Sequence, residues 1–388
     1  MTLDPPAETA AVFVPTGELG DYLFAAIDDP ATLTGRLCAI ESVSGNETAI
    51  TDAVVAVLER ISAGQGPDLE ILRDGDTVVA RTRLGLPERI VVAGHLDTVP
   101  VEDNLPPRQT VLDGADYPAD PVIWGRGACD MKAGVAMQLS TAAALRAPHR
   151  DVSWVFYDHE EVDASLNGLG RVARNHPEWL TGDFAILGEP SNASVEGGCN
   201  GTIRVDVTTT GVRAHSARAF MGVNAIHAAA EVLTRLAEFE TETVNVDGLD
   251  YRESLSAVSI SGGVAGNVVP DECRVAVNYR FAPSKSAAEA EAFLREFFTG
   301  FDVVVTDAAE GARPGLDRPI AQDFIATLGL SPAPKLGWTD VSRFSALGVP
   351  AVNFGPGNPL YAHKSDEHVR IAEVELATRT LRSYLEGS

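Results

Sequence analysis

Four short runs constrain the fold of this chain most. RIVVAG (89–94), VSWVFY (152–157), DFAILG (183–188) and VPAVNFG (349–355) are apolar on both strand faces. A strand of that kind must be covered on both sides, which places it inside a sheet flanked by helices. Helical segments lie between several of the runs, among them MKAGVAMQLSTAAALR (131–146). The expected class is an α/β sandwich. Ahead of the first run, Ser44 and Glu47 are spaced as a capping box. Ile50, Ala53, Val54, Val57, Leu58 and Ile61 then form one apolar stripe, predicting a helix over 44–61.

The pattern changes near residue 200. TIRVDVTTTG alternates Ile203, Val205 and Val207 with polar residues, and CRVAVNYRF does the same through Cys273, Val275, Val277, Tyr279 and Phe281. Strict alternation describes an antiparallel sheet solvated on one face, with helices expected over 223–240 and 285–298. The central-strand style returns with KLGWTD and VPAVNFG. A smaller α+β domain, 200–310, is therefore expected inside a larger α/β domain made of 1–199 and 311–388. A chain of 388 residues is long for one core, in keeping with two domains.

The formal net charge of −25 argues against nucleic acid or an anionic membrane as partner, since both need a basic surface. Cys38, Cys129, Cys199 and Cys273 are scattered without a CxxC pair, so neither a zinc ribbon nor a disulfide framework is indicated. The N-terminal stretch lacks the basic start and apolar core of a signal peptide. No apolar run reaches membrane-spanning length. The expected compartment is a reducing cytoplasm.

The residues with chemistry to offer lie just past the strand ends. FYDHEEVDA ends a strand in Asp158, His159, Glu160 and Glu161, and like charges packed so closely need neutralising or separating. A multivalent cation would do this, and so would a water-exposed loop tip. GHLDTVP sets His95 and Asp97 just past RIVVAG. Residues i and i+2 of extended chain point the same way, so Asp97 either receives the second ring N–H of a metal-bound His95 or stands beside it as a ligand. GRGACDMKAG puts Asp130 at a glycine-rich turn opening a helix, LGEPS puts Glu189 after FAILG, and YAHKSDEHV offers His363 and His368. GRGA lacks the full pattern of a nucleotide loop. Ligands of α/β folds gather beyond the carboxyl ends of the strands. A mixture of His, Asp and Glu without thiolates suits zinc or a similar divalent ion with an open position.

In order and spacing, GHLDTVP, GRGACDMKAG, the Glu-Glu pair, GEP and YAHKSDEHV resemble the co-catalytic zinc amidohydrolases of the M20 metallopeptidase family, over essentially the whole chain. The resemblance implies a zinc-exopeptidase-like sandwich with a mainly parallel central sheet and an inserted dimerisation or lid domain. It implies two Zn2+ per subunit, with Co2+ or Mn2+ as substitutes. His95, Asp130 and Glu189 would hold one ion, and Asp130 would bridge to a second held by Glu161 and His363. Glu160 would be the general base and Asp97 would orient His95. GVRAHSARA matches the family's lid segment, so His215 would stabilise the oxyanion, and Asn267 would bind substrate. If both act across subunits, the enzyme is a homodimer. His159, His227 and His368 match no family role.

EGGCNGT, NYRFAP and WTDVSRF most resemble the succinyl-diaminopimelate desuccinylase branch in its actinobacterial style. That substrate carries several carboxylates, for which Arg280 and Arg343 are suited partners, with Thr339 nearby. Better-known members carry an arginine pair where Cys199 and Asn200 stand, so N-acetylornithine deacetylase is the rival activity, followed by carboxypeptidase or dipeptidase. A non-catalytic metal-binding scaffold is the alternative outside the class, and the presence of Glu160 with the full ligand set speaks against it.

Overall fold

The computed structural model describes residues 11–64, 66–114 and 117–387. The chain forms two compact units. One comprises the residues up to Gly197, with Gly315–Ala333 and Arg343–Ser388; the other is Gly198–Pro314 with Pro334–Ser342.

In the first unit an eight-stranded sheet runs in the order Ala333–Pro334, Glu196–Gly197, Ala351–Asn353, Phe184–Leu187, Arg89–His95, Asp151–Tyr157, Thr77–Thr82, Leu69–Asp74. The central pairings, Ala351–Asn353 on Phe184–Leu187 and Arg89–His95 on both of its neighbours, are parallel. Antiparallel strands flank them. Val91, Val92, Val152, Val155, Ile186 and Val352 are fully buried, as strands apolar on both faces require. The helices Thr48–Ser62 and Ala133–Ala144 pack on this sheet. Ala133–Ala144 approaches so closely that a Cβ on Gly134 would meet the carbonyl of Gly188. A smaller sheet joins Ala11–Val12, Arg108–Gly114, Tyr117–Trp124 and His368–Arg370.

Two local expectations give way. The helix predicted over 44–61 begins at Thr48, because the Ser44–Glu47 pair is not a capping box. Ser44 Oγ donates to Asp97 Oδ2 (2.7 Å), while Glu47 Oε1 accepts from Gly45 N (3.0 Å) and His159 N (3.2 Å). KLGWTD is not a strand. It belongs to the second unit, where Lys335 O accepts from Asn200 N and Trp338 Nε1 donates to Glu310 O, so tertiary hydrogen bonds replace a ladder.

The second unit is built on an antiparallel sheet ordered Ser254–Gly262, Glu272–Phe281, Gly201–Thr210, Asp302–Ala309. Its alternation is that of the sequence. Ile203, Val205, Val207, Val275, Val277, Tyr279 and Phe281 are buried, and residues of the helices Ala225–Ala237 and Ala287–Phe297 share their cluster. Among the described residues no helix is long and apolar enough to cross a membrane.

Candidate metal centre

Parallel strands deliver the site. Ala93 pairs with Val155 on one side and with Leu187 on the other. His95 and Glu189 each follow two residues after the Ala93–Leu187 pair. The Glu160-Glu161 turn follows the strand that ends at Tyr157. Ligand atoms of His95, Asp130 and Glu161 lie within 4.8 Å of one another. His95 Nε2 is 3.2 Å from Asp130 Oδ1, and His363 Nε2 lies 3.3 Å from Asp130 Oδ2 and 3.0 Å from Glu161 Oε1. Asp130 thus has one oxygen on each imidazole. Glu189 is buried beside its strand end, and His363 is half-exposed with a left-handed φ of 65°.

The tautomer of His95 follows from geometry. Nδ1 lies 3.0 Å from the main-chain carbonyl of Asp97, which can only accept, so Nδ1 carries the proton and Nε2 faces Asp130 and the centre. The Asp97 carboxylate lies 3.5 Å from the same nitrogen and adds its charge to that contact. It is also the hinge of the acidic turn. Oδ1 accepts from Glu160 N (3.0 Å), and Oδ2 accepts from Glu161 N (3.0 Å) and from Ser44 Oγ. Burial raises the pKa of Asp97, but its hydrogen bonds with His95, Ser44 and Glu160 N outweigh that and bring it down to about 2.

Electrostatics identify what the cluster wants. Contact with Asp130 and Glu161 raises His363 to about 10. Burial opposes charge on His95, yet Asp130 and Asp97 carry it well above the ordinary imidazole value. Burial likewise opposes ionisation of Asp130, and the two histidines reverse the effect, holding it well below the carboxylate range. The cluster recruits positive charge onto its two imidazoles, a donor type suited to divalent metals. A divalent cation answers the same demand, and these oxygen and nitrogen donors fit zinc-like ions.

The acidic run behind Glu160 is not a loose loop. Asp158 is buried, accepting from Thr77 Oγ1 (2.6 Å) and Arg171 Nη2 (2.7 Å), with His159 Nδ1 at 2.7 Å. The next two residues present their main-chain N–H groups to the Asp97 carboxylate, and the Glu161 carboxylate reaches His363. Sequence reading passed over Ser44, Glu47, Arg126 and Glu367 as parts of the site. The only local signal was an acid four residues after His363; the rest depends on contacts distant in sequence.

The second unit holds the remaining candidates except Arg343. His215 is exposed and its Nδ1 accepts from Ala217 N (3.0 Å), which leaves Nε2–H as a donor. It pairs with Val268 across a two-stranded ribbon, and Ser216 N donates to Asn267 O (2.9 Å), so His215 and Asn267 are neighbours. Arg280 is held through Nε by Asn278 Oδ1 (3.0 Å), and Asn278 Nδ2 donates to Thr202 Oγ1 (3.1 Å). Asp307 pairs with Arg204 rather than with Arg280. A neutral amide therefore fixes Arg280 without cancelling its charge. Thr339 is buried, with its carbonyl 3.7 Å from Cys199 Sγ. Cys199 and Asn200 are both buried, and neither a thiol nor an amide supplies a cation. Arg343 belongs to the first unit, against Gly170 on the Gly168–Asn175 helix.

Comparison with known proteins bears on these groups. The family profile described as "Peptidase family M20/M25/M40" matches residues 91–387. A Mycobacterium tuberculosis protein provisionally named succinyl-diaminopimelate desuccinylase DapE is 49% identical over 361 residues, 92% of this chain and 98% of that one. A Corynebacterium glutamicum succinyl-diaminopimelate desuccinylase is 42% identical over 368 residues, 92% and 96% of the two chains. Among solved structures, a tripeptidase from Staphylococcus aureus superposes with a TM-score of 0.71 at 21% identity, covering 95% of this chain and 98% of that one. Aminopeptidase PepT from Bacillus cereus gives 0.72 at 18% identity, covering 93% and 98%. The α/β architecture with a mostly parallel sheet and a separate antiparallel sheet is theirs too.

Proposed function

The chain belongs to peptidase family M20/M25/M40, a metal-dependent hydrolase family, and from that membership we propose that it releases succinate from N-succinyl-L,L-2,6-diaminopimelate by amide hydrolysis. The observation that carries the substrate is the pair of relatives at 42% and 49% identity across 92% of the chain, both bearing the desuccinylase name.

Two zinc ions would be held, one by His95, Asp130 and Glu189, the other by Asp130, Glu161 and His363; the clustering of His95, Asp130, Glu161 and His363 supports this reading. Bound there, the metal supplies Lewis acidity that lowers the pKa of water and polarises the acyl carbonyl. Glu160 accepts the proton of the attacking water and hands it to the leaving amine. Asp97 holds the main chain of Glu160 and Glu161 together, so base and ligand keep a fixed separation. His215 donates through Nε2–H to the developing oxyanion, and Asn267 beside it binds substrate. Arg280, charged and held by an amide, takes a substrate carboxylate, with Arg343 and Thr339 as further contacts.

A homodimer is part of this reading. Ser254–Gly262 is an edge strand on which Val258 (58%) and Ile260 (50%) are exposed, and Phe220 and Met221 add exposed apolar surface in the same unit. Unpaired strand edges with apolar faces invite a second chain. All four cysteines are buried and outside any disulfide, in keeping with a reducing cytoplasm. N-acetylornithine deacetylation is the second reading, favoured by the buried Cys199 and Asn200 where a cationic contact would otherwise stand.

The deciding experiment compares initial rates of zinc-loaded protein on N-succinyl-L,L-diaminopimelate and N-acetyl-L-ornithine, with a chelated control. A succinyl preference abolished by chelation is expected. An acetyl preference would transfer the same chemistry to the second reading, and chelator-resistant turnover would refute the metal mechanism.

A further inference from the structure

Arg126 and Glu367 form an ion pair at 2.8 Å with side chains only 3% and 1% exposed. Such pairs add little net stability compared with apolar packing, since desolvation offsets their attraction. The value of this one lies in what else the two groups grip. Glu367 Oε1 accepts from two consecutive main-chain donors, Cys129 N (3.0 Å) and Asp130 N (3.1 Å). Arg126 Nη1 also donates to Lys364 O (3.2 Å), and its Nε donates to Pro100 O (3.0 Å). Lys364 O further accepts from Asn104 Nδ2 (3.3 Å) and Glu367 N (3.3 Å). Antiparallel pairing of His368 with Trp124 brings the two segments together.

The grips cross. The acid that follows His363 by four residues holds the main chain of Asp130, and the arginine that precedes Asp130 by four residues holds the main chain next to His363. His363 itself sits at φ 65°, a conformation that a non-glycine residue keeps only when its surroundings impose it. We propose that Arg126 and Glu367 are positioning residues that set the separation between Asp130 and His363, and so the affinity of the cation site these two share. The inference rests on the metal reading above.

The test is zinc titration of the apo-protein against a competing chelator, with the apo thermal midpoint read alongside. Glu367→Gln keeps one acceptor oxygen, which can face Arg126 or the two N–H groups but not both, so one grip is lost either way. Arg126→Lys keeps the charge but not the fork that reaches Glu367, Lys364 and Pro100 together, and it tests the tie from the other end if Glu367→Gln fails to fold. Each variant is expected to weaken one zinc equivalent by ~10-fold or more, the range for groups that orient metal ligands. In Glu367→Gln/His363→Ala the loss should fall short of the sum of the two single losses, because the separation that the tie sets no longer matters once His363 cannot ligate. Wild-type zinc affinity with only a lowered apo midpoint would overturn the proposal, as would additive losses in the double variant. A wild-type protein that takes up no zinc would instead refute the metal reading on which the proposal stands.

Discussion

Replacing Asp97 with asparagine tests how the turn with Glu160 and Glu161 is held. The carboxylate serves three donors, Glu160 N and Glu161 N at 3.0 Å each and Ser44 Oγ at 2.7 Å, from a fully buried position. An amide has one acceptor oxygen. With that oxygen on Glu160 N, the new NH2 faces Glu161 N–H and the Ser44 hydroxyl; the hydroxyl can rotate and accept, but the N–H cannot. The reverse orientation orphans Glu160 N–H instead. One buried main-chain donor left unpaired costs about 1–3 kcal/mol. The bonds that survive lose their charge assistance, roughly half their strength. The total comes to about 2–4 kcal/mol, and if displacement of Glu160 carries it into the barrier, kcat falls roughly 30- to 900-fold. Because Asp97 is held at about 2, its carboxylate is ionised at every usable pH, so the deficit should not vary between neutral and mildly alkaline assays. The assay is kcat of the zinc-loaded Asp97→Asn protein at saturating substrate, with its thermal midpoint. A kcat within threefold of the parent and an unchanged midpoint would refute the reasoning.

Three further expectations are independent of that one. Asp151 is buried and accepts from Thr82 Oγ1, Leu84 N and Leu86 N, contacts that outweigh desolvation and lower its pKa below 3.8. A depressed folded pKa means stabilisation present above the unfolded value and lost as pH falls through the lower folded one; the urea midpoint gap between parent and Asp151→Asn should thus be constant from pH 8 down to about 5 and close below about 4. A gap that persists undiminished at the lowest workable pH would contradict this. Gly134→Ala drives a methyl into the Gly188 carbonyl and should cost about 1–3 kcal/mol or more, read as a fall of several degrees in thermal midpoint; an unchanged midpoint would show that the helix does not approach so closely. Ile260→Glu on the exposed edge strand should yield a folded monomer by light scattering, whereas a dimer of undiminished stability would place the subunit contact elsewhere.

The central strands and the groups at their ends were legible because each signal is local: a doubly apolar run, then a His or acid within a few residues. The alternation of Val205, Val207, Val275 and Val277 announced the second sheet for the same reason. What escaped depends on pairings distant in sequence. Ser44 and Glu47 have the spacing of a helix cap, yet Asp97 and His159 outcompete the helix for their side chains. Arg126 and Glu367 lie 241 residues apart and meet only when His368 pairs with Trp124. KLGWTD misled through composition: its backbone is claimed by side chains and main chain of the second unit before any ladder can form. The i and i+2 spacing of His95 and Asp97 is a local signal too: Nδ1 of the ring lies 3.0 Å from the Asp97 carbonyl and 3.5 Å from its carboxylate.

Arg280 is clamped by the neutral Asn278 and has no ion pair among the described residues, on a chain whose formal charge is −25. An anionic ligand approaching such a protein meets repulsion at a distance and attraction only on arrival. Salt shortens the first without reaching a partly buried contact equally. For a multiply charged anionic substrate, capture would then quicken with added salt over a range where most charge-guided encounters slow down.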